Sequence, residues 1–377
     1  MRFRSRLIIE LDHFAHNFSQ IKKMAPNSQV LFMVKADGYG HGMIPVVRYA
    51  YSELGIREFG CATLAEAFQL RVELRDLLFD IYVFSDTQID VEENIEIYVQ
   101  NRILPVISNL NDLDFVLHHP DFKNMPLCLK FNSGMNRLGL DPEEVSLVVS
   151  RLKKHGRLSL HHLFTHFANS SEPMNQHERN LFQHKNFVDI KKFFREAGII
   201  LERTSQSNSG AIEQGHGFED THIRPGLMMY GPTSLSSEHH ALGHFQGKIV
   251  SRLETTILRT FDVEKGDPIG YGSTPCPHEG VIAVLAIGYG DGFSTRYAGA
   301  HLTHHGFRGV ITGRVNMDML QVLFPLEARG HIKAREIVTI WGNKDDDLLN
   351  FSRETKTIPY EIFCALLPRI PRVYRVN

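Results

Sequence analysis

This 377-residue sequence has few cysteines, one tryptophan and almost no net charge. Its four cysteines, Cys61, Cys128, Cys276 and Cys364, lie far apart. This excludes a dense disulfide scaffold and predicts reduced, buried thiols, at least at Cys61 and Cys128. The 41 basic and 43 acidic residues nearly cancel, and a single tryptophan is present. Because no long run of one charge occurs, neither nucleic acid nor an anionic membrane surface is indicated as a partner.

Long apolar runs and metal-ligand spacings are also missing. The N-terminus is basic, but the apolar stretch at residues 7–9 is broken by Glu10 and Asp12. We therefore expect no signal peptide and no membrane span, and we predict a cytoplasmic protein. Histidine is abundant, with 21 residues and several adjacent pairs. None of the pairs has a convincing metal-ligand spacing, so we predict surface histidines and no metal site.

What the sequence does contain is a regular alternation of strand-like and helix-like segments. Apolar runs alternate with helical patterns such as residues 43–51. The strand candidates are residues 30–34, 59–63, 81–84, 103–107, 127–131, 158–165, 199–205 and 221–224. Eight such strands separated by helices predict an α/β fold of the (β/α)₈ barrel type. A doubly wound open sheet is the structural alternative.

The composition changes near residue 240. Beyond it, strand-like runs follow one another with turn residues between them and little helix, at residues 253–258, 281–287, 310–313, 319–324 and 337–341. We therefore predict two domains, a barrel at residues 1–240 and a mainly-β domain at residues 241–377. The strand-like residues 6–12 have two possible partners, the barrel and the β domain, and the sequence does not decide between them.

The stretch at residues 34–42 reads VKADGYGHG and follows the first strand candidate. Lys35 thus stands at the C-terminal end of a strand, where a (β/α)₈ barrel gathers its chemistry. Desolvation at this position would remove the charge of Lys35 and make it an amine nucleophile. The glycines would let the backbone approach a ligand, and Tyr39 adds a hydroxyl. A solvated lysine before a glycine-rich turn is the alternative that this stretch leaves open.

Further polar residues follow the later strand candidates, and in a barrel they would share one rim with Lys35. These residues are Lys130, Arg137, His166, Asn208, Ser209, Arg224, Gly226 and Leu227. Hydroxyl-rich and glycine-rich loops after the seventh and eighth strands are where such barrels bind phosphate. Each loop alone is an ordinary capping or turn sequence, but together with Lys35 they indicate a phosphate site.

These motifs resemble those of the bacterial alanine racemases, and the resemblance extends from Lys35 to Tyr374. It implies the barrel and β domain predicted above and the cofactor pyridoxal 5′-phosphate (PLP), carried by Lys35. His166 would support Arg224, which would face the nitrogen of the cofactor ring. By resemblance, the remaining residues that hold the cofactor, chiefly at its phosphate, are Tyr39, Asn208, Ser209, Gly226, Leu227 and Tyr360.

The loop of Arg137 resembles the family's substrate-carboxylate loop, with Lys130 where a carbamylated lysine often orients that arginine. A guanidinium suits a carboxylate because it donates two parallel hydrogen bonds. The loop departs from the family pattern at Asn132, Ser133 and Asn136, where Asp, Thr and Gly are common. These departures put the local geometry of the loop in question rather than its role.

Arg224 carries a chemical consequence. An arginine keeps its proton near neutral pH, so it donates a hydrogen bond to the ring nitrogen without leaving that nitrogen protonated. The ring is then a weaker electron sink, which disfavours transamination and decarboxylation. This argues against a PLP amino-acid decarboxylase of the same barrel class and suits a racemase.

Racemisation needs an acid/base group on each face of the reacting carbon, and Lys35 can serve only one face. By resemblance Tyr271 serves the other and comes from the partner subunit, which implies a homodimer with shared active sites. An unperturbed tyrosine titrates near pH ~10, so nearby positive charge is needed. Tyr289 resembles the family's entryway tyrosine, and Met317 the residue whose backbone meets the substrate carboxylate. Asn316 stands where cysteine is common.

The resemblance therefore implies a racemase that interconverts L-alanine and D-alanine with Lys35 and Tyr271 as its two bases, and that supplies D-alanine for peptidoglycan. A serine or broad-specificity racemase stays open, because it would use the same residues with a different pocket volume. A PLP-carrier protein would keep Lys35, Ser209 and Arg224, but it would have no use for Tyr271 or a β domain.

Overall fold

The apolar runs that predict barrel strands fold as parallel strands in the computed structural model, which describes residues 3–344 and 347–376. The chain divides into two units. The barrel unit comprises residues 15–38 and 43–247. The β unit comprises the segment up to Phe14, the short stretch Tyr39–Gly42 and the chain from Lys248 onward.

The strands of the described residues are numbered in chain order. They are β1 (Ser5–Glu10), β2 (Gln29–Met33), β3 (Glu58–Thr63), β4 (Asp80–Asp86), β5 (Ile103–Ile107), β6 (Cys128–Lys130), β7 (Ser159–Leu160), β8 (His162–Phe164), β9 (Ile200–Leu201), β10 (Thr204–Ser205), β11 (His222–Ile223), β12 (Ser251–Val263), β13 (Pro268–Ile269), β14 (Thr274–Pro275), β15 (Gly280–Leu285), β16 (His301–His304), β17 (Phe307–Thr312), β18 (Leu320–Phe324), β19 (Ile337–Trp341) and β20 (Arg372–Arg375).

The helices are numbered in the same way. They are α1 (Leu11–Met24), α2 (Lys35–Tyr39), α3 (Met43–Ser52), α4 (Leu64–Glu73), α5 (Glu92–Asn101), α6 (Leu110–His118), α7 (Val145–Lys154), α8 (Glu178–Glu196), α9 (Ser209–Glu213), α10 (Leu227–Tyr230), α11 (Asp347–Glu354) and α12 (Pro359–Ala365).

The barrel sheet has the order β10-β8-β6-β5-β4-β3-β2-β11, and its strand pairs are parallel. The last strand, β11, pairs with the first, β2, which excludes a doubly wound open sheet. At the remaining seam Arg224 N donates to Ser207 O over 3.0 Å and Thr204 N to Thr221 Oγ1 over 2.8 Å. The predicted (β/α)₈ barrel is therefore confirmed, with a seam closed by isolated hydrogen bonds.

Two predicted barrel strands are each divided into two. The run at residues 158–165 forms β7 and β8, and the run at residues 199–205 forms β9 and β10. β8 and β10 belong to the barrel, whereas β7 and β9 pair with each other in a separate two-stranded sheet. A continuous apolar run does not reveal such a break, because both halves are extended.

The barrel strands are buried on both faces. Leu31, Phe32, Ile81, Val83 and Leu129 are fully buried, and each side chain of this kind contributes about 1.5–3 kcal/mol when it leaves water. Burial on both faces explains why these strands read as continuous apolar runs rather than alternating ones. The helix that follows β3 begins with a capping box, a local signal that fixes where strand ends and helix starts.

The β unit is built around the 13-residue strand β12. The sheet order is β16-β17-β18-β15-β12-β1-β20, and β19 also pairs with β12. The N-terminal strand β1 lies in this sheet, antiparallel to β12 and parallel to β20. The core of the β unit includes five buried residues, Leu253, Ile257, Ile282, Leu323 and Trp341.

Two glycines of the predicted ligand-binding stretch meet protein instead. A Cβ at Gly40 would overlap the carbonyl oxygen of Phe363, and a Cβ at Gly42 would overlap the hydroxyl of Tyr374. Both glycines also have positive φ angles, 77° and 87°. The prediction that they let the backbone approach a ligand is therefore replaced by a packing role inside the β unit.

The thiols and the helices of the described residues follow from the scarcity of cysteine and of long apolar runs. All four cysteines are free thiols, and Cys61, Cys128 and Cys276 are buried while Cys364 is exposed. The three buried cysteines pack as small apolar residues. Among the described helices, none combines the length and apolar character needed to cross a bilayer.

Candidate active site

Lys35 follows β2 directly and opens the left-handed turn α2. Residues 36–39 all have φ angles between 52° and 62°, a region that non-glycine residues rarely adopt. Hydrogen bonds from outside hold the turn: the Ala36 N–H donates to Glu66 over 2.6 Å, and Asp37 accepts from the first N–H of α3 over 2.8 Å. The backbone around Lys35 is thus fixed by the barrel unit itself.

The side chain of Lys35 is exposed. The predicted desolvation of this lysine is therefore wrong for the single chain. Lys35 lies instead within a group of positive charges, because it is one of the residues that lower the pKa values of Lys130 and His166. Such a concentration of charge at one site favours an anionic ligand.

Arg224 is the most deeply buried cation of this group, with 4% exposure. Its guanidinium donates to the Ser205 hydroxyl and to the Thr165 carbonyl oxygen. A longer contact of 3.3 Å reaches Gln206 O. These acceptors are neutral, so they orient the arginine without neutralising it. Burial lowers the pKa of Arg224 to about 10, and the guanidinium therefore stays charged at neutral pH.

His166 links Arg224 to the seventh-strand loop. Arg224 Nη2 donates to His166 Nδ1 over 3.4 Å, and the Asn208 amide nitrogen lies 3.4 Å from Nε2. Burial lowers the pKa of His166 well below its ordinary value, and the charges of Arg224 and Lys130 lower it further. The imidazole is therefore neutral, and its Nδ1 accepts from Arg224 because a guanidinium carries donors only.

Ser209 ties together the loops after the seventh and eighth barrel strands. It begins α9 after the N-cap Asn208, whose side chain accepts from Ala211 N over 3.3 Å. Ser209 Oγ accepts from Gly226 N over 2.9 Å and from Met228 N over 3.3 Å. The next helix, α10, begins at Leu227, between these two donors. The structure thus brings the predicted phosphate residues of the barrel together.

Lys130 is the last residue of β6 and is 7% exposed. Burial is the main reason that the pKa of Lys130 is lowered to about 8. The positive charges of Arg137, Arg224 and Lys35 lower it further. A lysine with such a pKa is partly neutral near pH 7, and the neutral amine is the form that reacts with carbon dioxide. Arg137 itself is exposed, on the loop that follows.

The three unusual residues of the Arg137 loop each take part in hydrogen bonds that order it. Asn136 has a φ angle of 56°, which asparagine adopts more readily than most residues. Asn132 Oδ1 accepts from Asn136 N over 2.8 Å and from Gly134 N over 3.3 Å. The Ser133 and Thr165 hydroxyls share a 2.7 Å hydrogen bond. The loop geometry that the sequence left in question is therefore ordered by these side chains.

In the β unit, the two tyrosines predicted to contact the phosphate lie side by side. The rings of Tyr39 and Tyr360 are 5.9 Å apart between centroids and tilted by 41°. Burial, followed by the neighbouring Tyr360, raises the pKa of Tyr39 above its ordinary value. The Tyr39 hydroxyl is therefore protonated at neutral pH and can donate a hydrogen bond.

Tyr271 occupies the tip of the hairpin formed by β13 and β14 and is 72% exposed. Gly270 and Gly272 on either side have φ angles of 58° and 81°, so the tip needs residues without a side chain there. A Cβ built at Gly272 would lie 3.4 Å from the guanidinium carbon of Arg314. The guanidinium of Arg314 therefore lies beside the hairpin tip.

Tyr289 and Met317 are also exposed, by 45% and 52%. Their loops are joined by backbone hydrogen bonds, from Tyr289 N to Asn316 O over 2.9 Å and from Gly290 N to Met317 O over 2.8 Å. The loops of Tyr289 and Met317, the predicted entryway and substrate-contacting residues, are thus held together in the β unit.

An ion network around the buried Asp291, which the sequence did not reveal, supports this surface. Asp291 is 1% exposed and accepts from Arg369 Nε over 2.7 Å and from Arg4 Nη2 over 2.9 Å. Arg369 also bridges to Asp318 over 2.6 Å. Two guanidiniums compensate the buried carboxylate. These residues are far apart in the chain, so their spacing carries no signal.

The predicted site residues thus fall into separate groups. The barrel unit brings together Lys35, Lys130, Arg137, His166, Asn208, Ser209, Arg224, Gly226 and Leu227. The β unit pairs Tyr39 with Tyr360 and Tyr289 with Met317, and carries Tyr271 on a hairpin of its own. Sequence reasoning missed Ser205, Thr165 and Glu66, which position Arg224 and the turn after Lys35.

Fold and site together define a two-domain (β/α)₈-barrel protein with a cationic site at the C-terminal ends of the barrel strands. The family model for the alanine racemase N-terminal domain matches residues 9–234, and that for the alanine racemase C-terminal domain matches residues 250–374. The chain belongs to the alanine racemase family, and the resemblance seen in its motifs is confirmed.

Named relatives agree over nearly the whole chain. The alanine racemase of Hahella chejuensis is 30% identical over 397 residues, which cover 98% of this chain and 97% of that protein. The alanine racemase of Vibrio vulnificus strain CMCP6 is 31% identical over 376 residues, covering 97% and 98%.

Solved structures show the same architecture. The alanine racemase of Bacillus anthracis with bound L-Ala-P superposes with a TM-score of 0.86 at 26% identity, covering 100% of this chain and 96% of that one. The alanine racemase of Streptomyces lavendulae gives a TM-score of 0.89 at 24% identity, covering 100% and 98%. At this level of identity, the similarity to the Streptomyces lavendulae structure shows a shared fold alone.

Proposed function

We propose that this protein is a PLP-dependent racemase that interconverts L-alanine and D-alanine. Full-length membership of the alanine racemase family supports the reaction class. The observation that carries the proposal for the site is Arg224, a buried cation that is hydrogen-bonded to neutral acceptors and acts together with Lys35 on Lys130 and His166. A site of this kind suits a ligand that brings a phosphate, a ring nitrogen and a carboxylate.

The residues present fit PLP. Four cations, Lys35, Lys130, Arg137 and Arg224, all act electrostatically on His166, and a dianionic phosphate with a carboxylate substrate would balance such charge. The residues that would hold the cofactor are Lys35, Tyr39, His166, Asn208, Ser209, Arg224, Gly226, Leu227 and Tyr360. When bound, PLP supplies an electron-withdrawing ring that acidifies the α-hydrogen of an attached amino acid.

The chain's own residues would then move the proton. Lys35 would exchange a proton at the α-carbon on one face, and the Tyr271 hydroxyl would do so on the other. Arg137 would hold the substrate carboxylate through its fork of donors, aided by the backbone of Met317. Neutral His166 would keep Arg224 oriented as a donor, so that the ring nitrogen receives a hydrogen bond rather than a proton.

We propose further that the active unit is a homodimer whose subunits share sites. Tyr271 is 72% exposed at a hairpin tip, which fits a residue that completes a partner's site. Chains carrying Lys35→Ala and Tyr271→Phe would be mixed under exchanging conditions and assayed for racemisation. Recovery of activity supports sharing, because one of the two mixed sites is then intact. Heterodimers that form and stay inactive contradict it.

Alanine is the proposed substrate, with D-alanine supplied to peptidoglycan as the cellular role. The decisive experiment is a racemisation assay of the purified protein with PLP against a panel of L-amino acids. Preference for alanine is the expected result. A protein that binds PLP and racemises none of them would overturn the proposal and favour a carrier function.

Serine is the second candidate substrate, because of Asn316. The Asn316 Oδ1 atom is buried and has no hydrogen-bond partner among the described residues. It directly precedes Met317, which is predicted to meet the substrate carboxylate. An unpaired acceptor there would favour a substrate hydroxyl. The ratio of kcat/KM for serine and alanine should fall in Asn316→Cys if this is so, and an unchanged ratio excludes the role.

A further inference from the structure

A hairpin of the β unit ends in two adjacent histidines. Strands β16 and β17 pair so that His304 faces Phe307, which leaves His305 and Gly306 as a two-residue turn. Both turn residues have positive φ angles, 48° and 83°, as in a type I′ turn. Such turns favour asparagine, aspartate or glycine at the first position. The turn itself therefore accepts a histidine at residue 305 but does not require one.

Both histidines converge on one carboxylate from another part of the chain. Glu336, the residue before β19, offers Oε2 at 3.0 Å from His304 Nε2 and 3.2 Å from His305 Nε2. The two imidazole rings are 4.1 Å apart between centroids and tilted by 42°. The three potential ligand atoms all lie within 4.8 Å of one another. Each histidine directs its Nε2 nitrogen toward Glu336 Oε2.

These distances match those between the ligands of a tetrahedral metal ion. With metal–nitrogen and metal–oxygen bonds of about 2.0–2.2 Å, neighbouring ligand atoms in a tetrahedron lie about 3.3–3.5 Å apart. The two histidine–carboxylate distances are within a few tenths of an ångström of that value. A metal ion could therefore replace the hydrogen bonds between the histidines and Glu336 with only small side-chain movements.

The carboxylate of Glu336 is also held in place by a backbone hydrogen bond. Lys333 N donates to Glu336 Oε2 over 3.1 Å, the kind of outer contact that orients a metal-bound carboxylate. The Glu336 Oε2 oxygen accepts from this backbone N–H, and both imidazoles contact the same oxygen.

We infer that His304, His305 and Glu336 form a binding site for a divalent transition-metal ion, with zinc as the best fit. Two imidazoles and one carboxylate suit zinc, nickel or copper rather than calcium or magnesium, which prefer oxygen ligands. Three protein ligands leave the fourth tetrahedral position to water. His304 is 11% exposed and His305 is 51% exposed at the side chain, so an ion can enter from solvent. A bound ion would fasten the hairpin to the segment before β19.

Histidine spacing could not predict this site. The two histidines are adjacent, and the third ligand lies 31 and 32 residues further along the chain. The expectation that the histidine pairs bind no metal is therefore replaced, for residues 304 and 305, by this proposal. It concerns the β-unit sheet and does not depend on the proposed racemase activity.

The test is zinc binding by the full-length protein. After removal of metals with a chelator and dialysis, isothermal titration with Zn²⁺ is expected to reveal one site per chain that is lost or weakened at least about 10-fold in both His305→Asn and Glu336→Gln. Asparagine is chosen at residue 305 because it suits the left-handed turn. A rise in Tm on adding Zn²⁺, present in the parent and absent from these variants, is the second readout.

His301→Gln is the matched control. His301 lies on the same strand and contacts one carboxylate, Glu354, over 3.3 Å, but it belongs to no three-ligand group found among the described residues. Zinc binding should survive in this variant. The proposal is overturned if the parent binds no zinc, if His305→Asn and Glu336→Gln bind it unchanged, or if His301→Gln loses it equally. Matching Tm values of all chains in chelator would exclude misfolding as the cause of a loss.

Discussion

The candidate site residues of the barrel unit and those of the β unit differ in how their own chain holds them. In the barrel unit, Arg224 and Ser209 are buried, and each is fixed by hydrogen bonds to neighbouring loops. In the β unit, Tyr271, Tyr289 and Met317 are 72%, 45% and 52% exposed. The barrel-unit residues are held by contacts within their own chain. The β-unit residues project from loops whose backbone is fixed, and their side chains are open to solvent.

The difference separates two kinds of chemistry. A buried cationic site such as that of Arg224 and Lys130 must be assembled precisely before a ligand binds, because its charges repel and need fixed partners. Exposed side chains on an ordered loop, such as Tyr271, are suited to completing a site elsewhere. If this comparison is right, barrel variants should act within their own chain, and Tyr271 variants should be complemented by another chain.

The largest effect is expected for Lys35→Ala. Racemisation should fall by more than the roughly 10²–10⁴-fold typical of one acid/base group, because Lys35 is proposed both to carry the cofactor and to move a proton. Borohydride reduction followed by peptide mapping should find the pyridoxyl group on Lys35 in the parent. The exposed Lys154→Ala serves as the control and should keep full activity. A pyridoxyl group on another lysine would contradict the assignment.

Tyr271→Phe should reduce racemisation by roughly 10²–10⁴-fold while leaving PLP bound, because the tyrosine makes no bond to the cofactor. The two alanine enantiomers should respond differently to this substitution, and the difference tests the separate roles of the two units. If Tyr271 acts on L-alanine and Lys35 on D-alanine, exchange of the α-hydrogen with deuterated solvent should persist longer for D-alanine in the variant. Equal loss for both enantiomers, with PLP retained, would show that the two-base assignment is wrong.

Lys130 gives a pH-dependent prediction. Its pKa is lowered to about 8 by burial and neighbouring cations, against about 10.4 in an unfolded chain. Between these values the folded chain binds fewer protons, so stability should rise with pH by at most about 3 kcal/mol relative to Lys130→Met. Below pH 8 the folded chain is destabilised by the full cost of keeping the buried Lys130 charged. Urea unfolding of both chains in carbon-dioxide-free buffer measures this difference.

Bicarbonate provides the control for that experiment. A carbamate on Lys130 would replace a cation by an anion among Arg137 and Arg224, which should stabilise the folded chain and flatten the difference in slope. The proposed carbamylation fails if bicarbonate leaves the pH dependence of the parent unchanged and mass spectrometry under native conditions finds no carbon dioxide adduct.

The smallest effect concerns the Arg137 loop. Asn136→Val places a β-branched residue at a φ angle of 56°, which costs about 1–2 kcal/mol and should raise KM for alanine several-fold by displacing Arg137. Asn136→Gly accepts the same angle without strain and should keep KM within about two-fold. Equal KM values in the two variants would mean that the loop conformation does not position the arginine.

Much of the fold was accessible from sequence because its signals are local. Apolar runs buried on both faces predicted the barrel strands, and the positions of Lys35, Lys130 and Arg224 after those runs predicted one rim. The breaks inside two of the strands were not predicted, because a pair of short extended segments and a single strand have the same local pattern. The roles of Gly40 and Gly42 were also misjudged, since their neighbours Phe363 and Tyr374 lie more than 300 residues away.

The sequence by itself determined the fold class, the family and the identities of the candidate site residues, because each depends on residue types at short spacing. Only the tertiary structure decided the electrostatic state of the site and the residues that support it. The pKa of Lys130 depends on charges from separate strands, and Asp291 meets Arg4 and Arg369 across the β unit. Burial and charge are properties of neighbours in space, and for these residues the neighbours are distant in the chain.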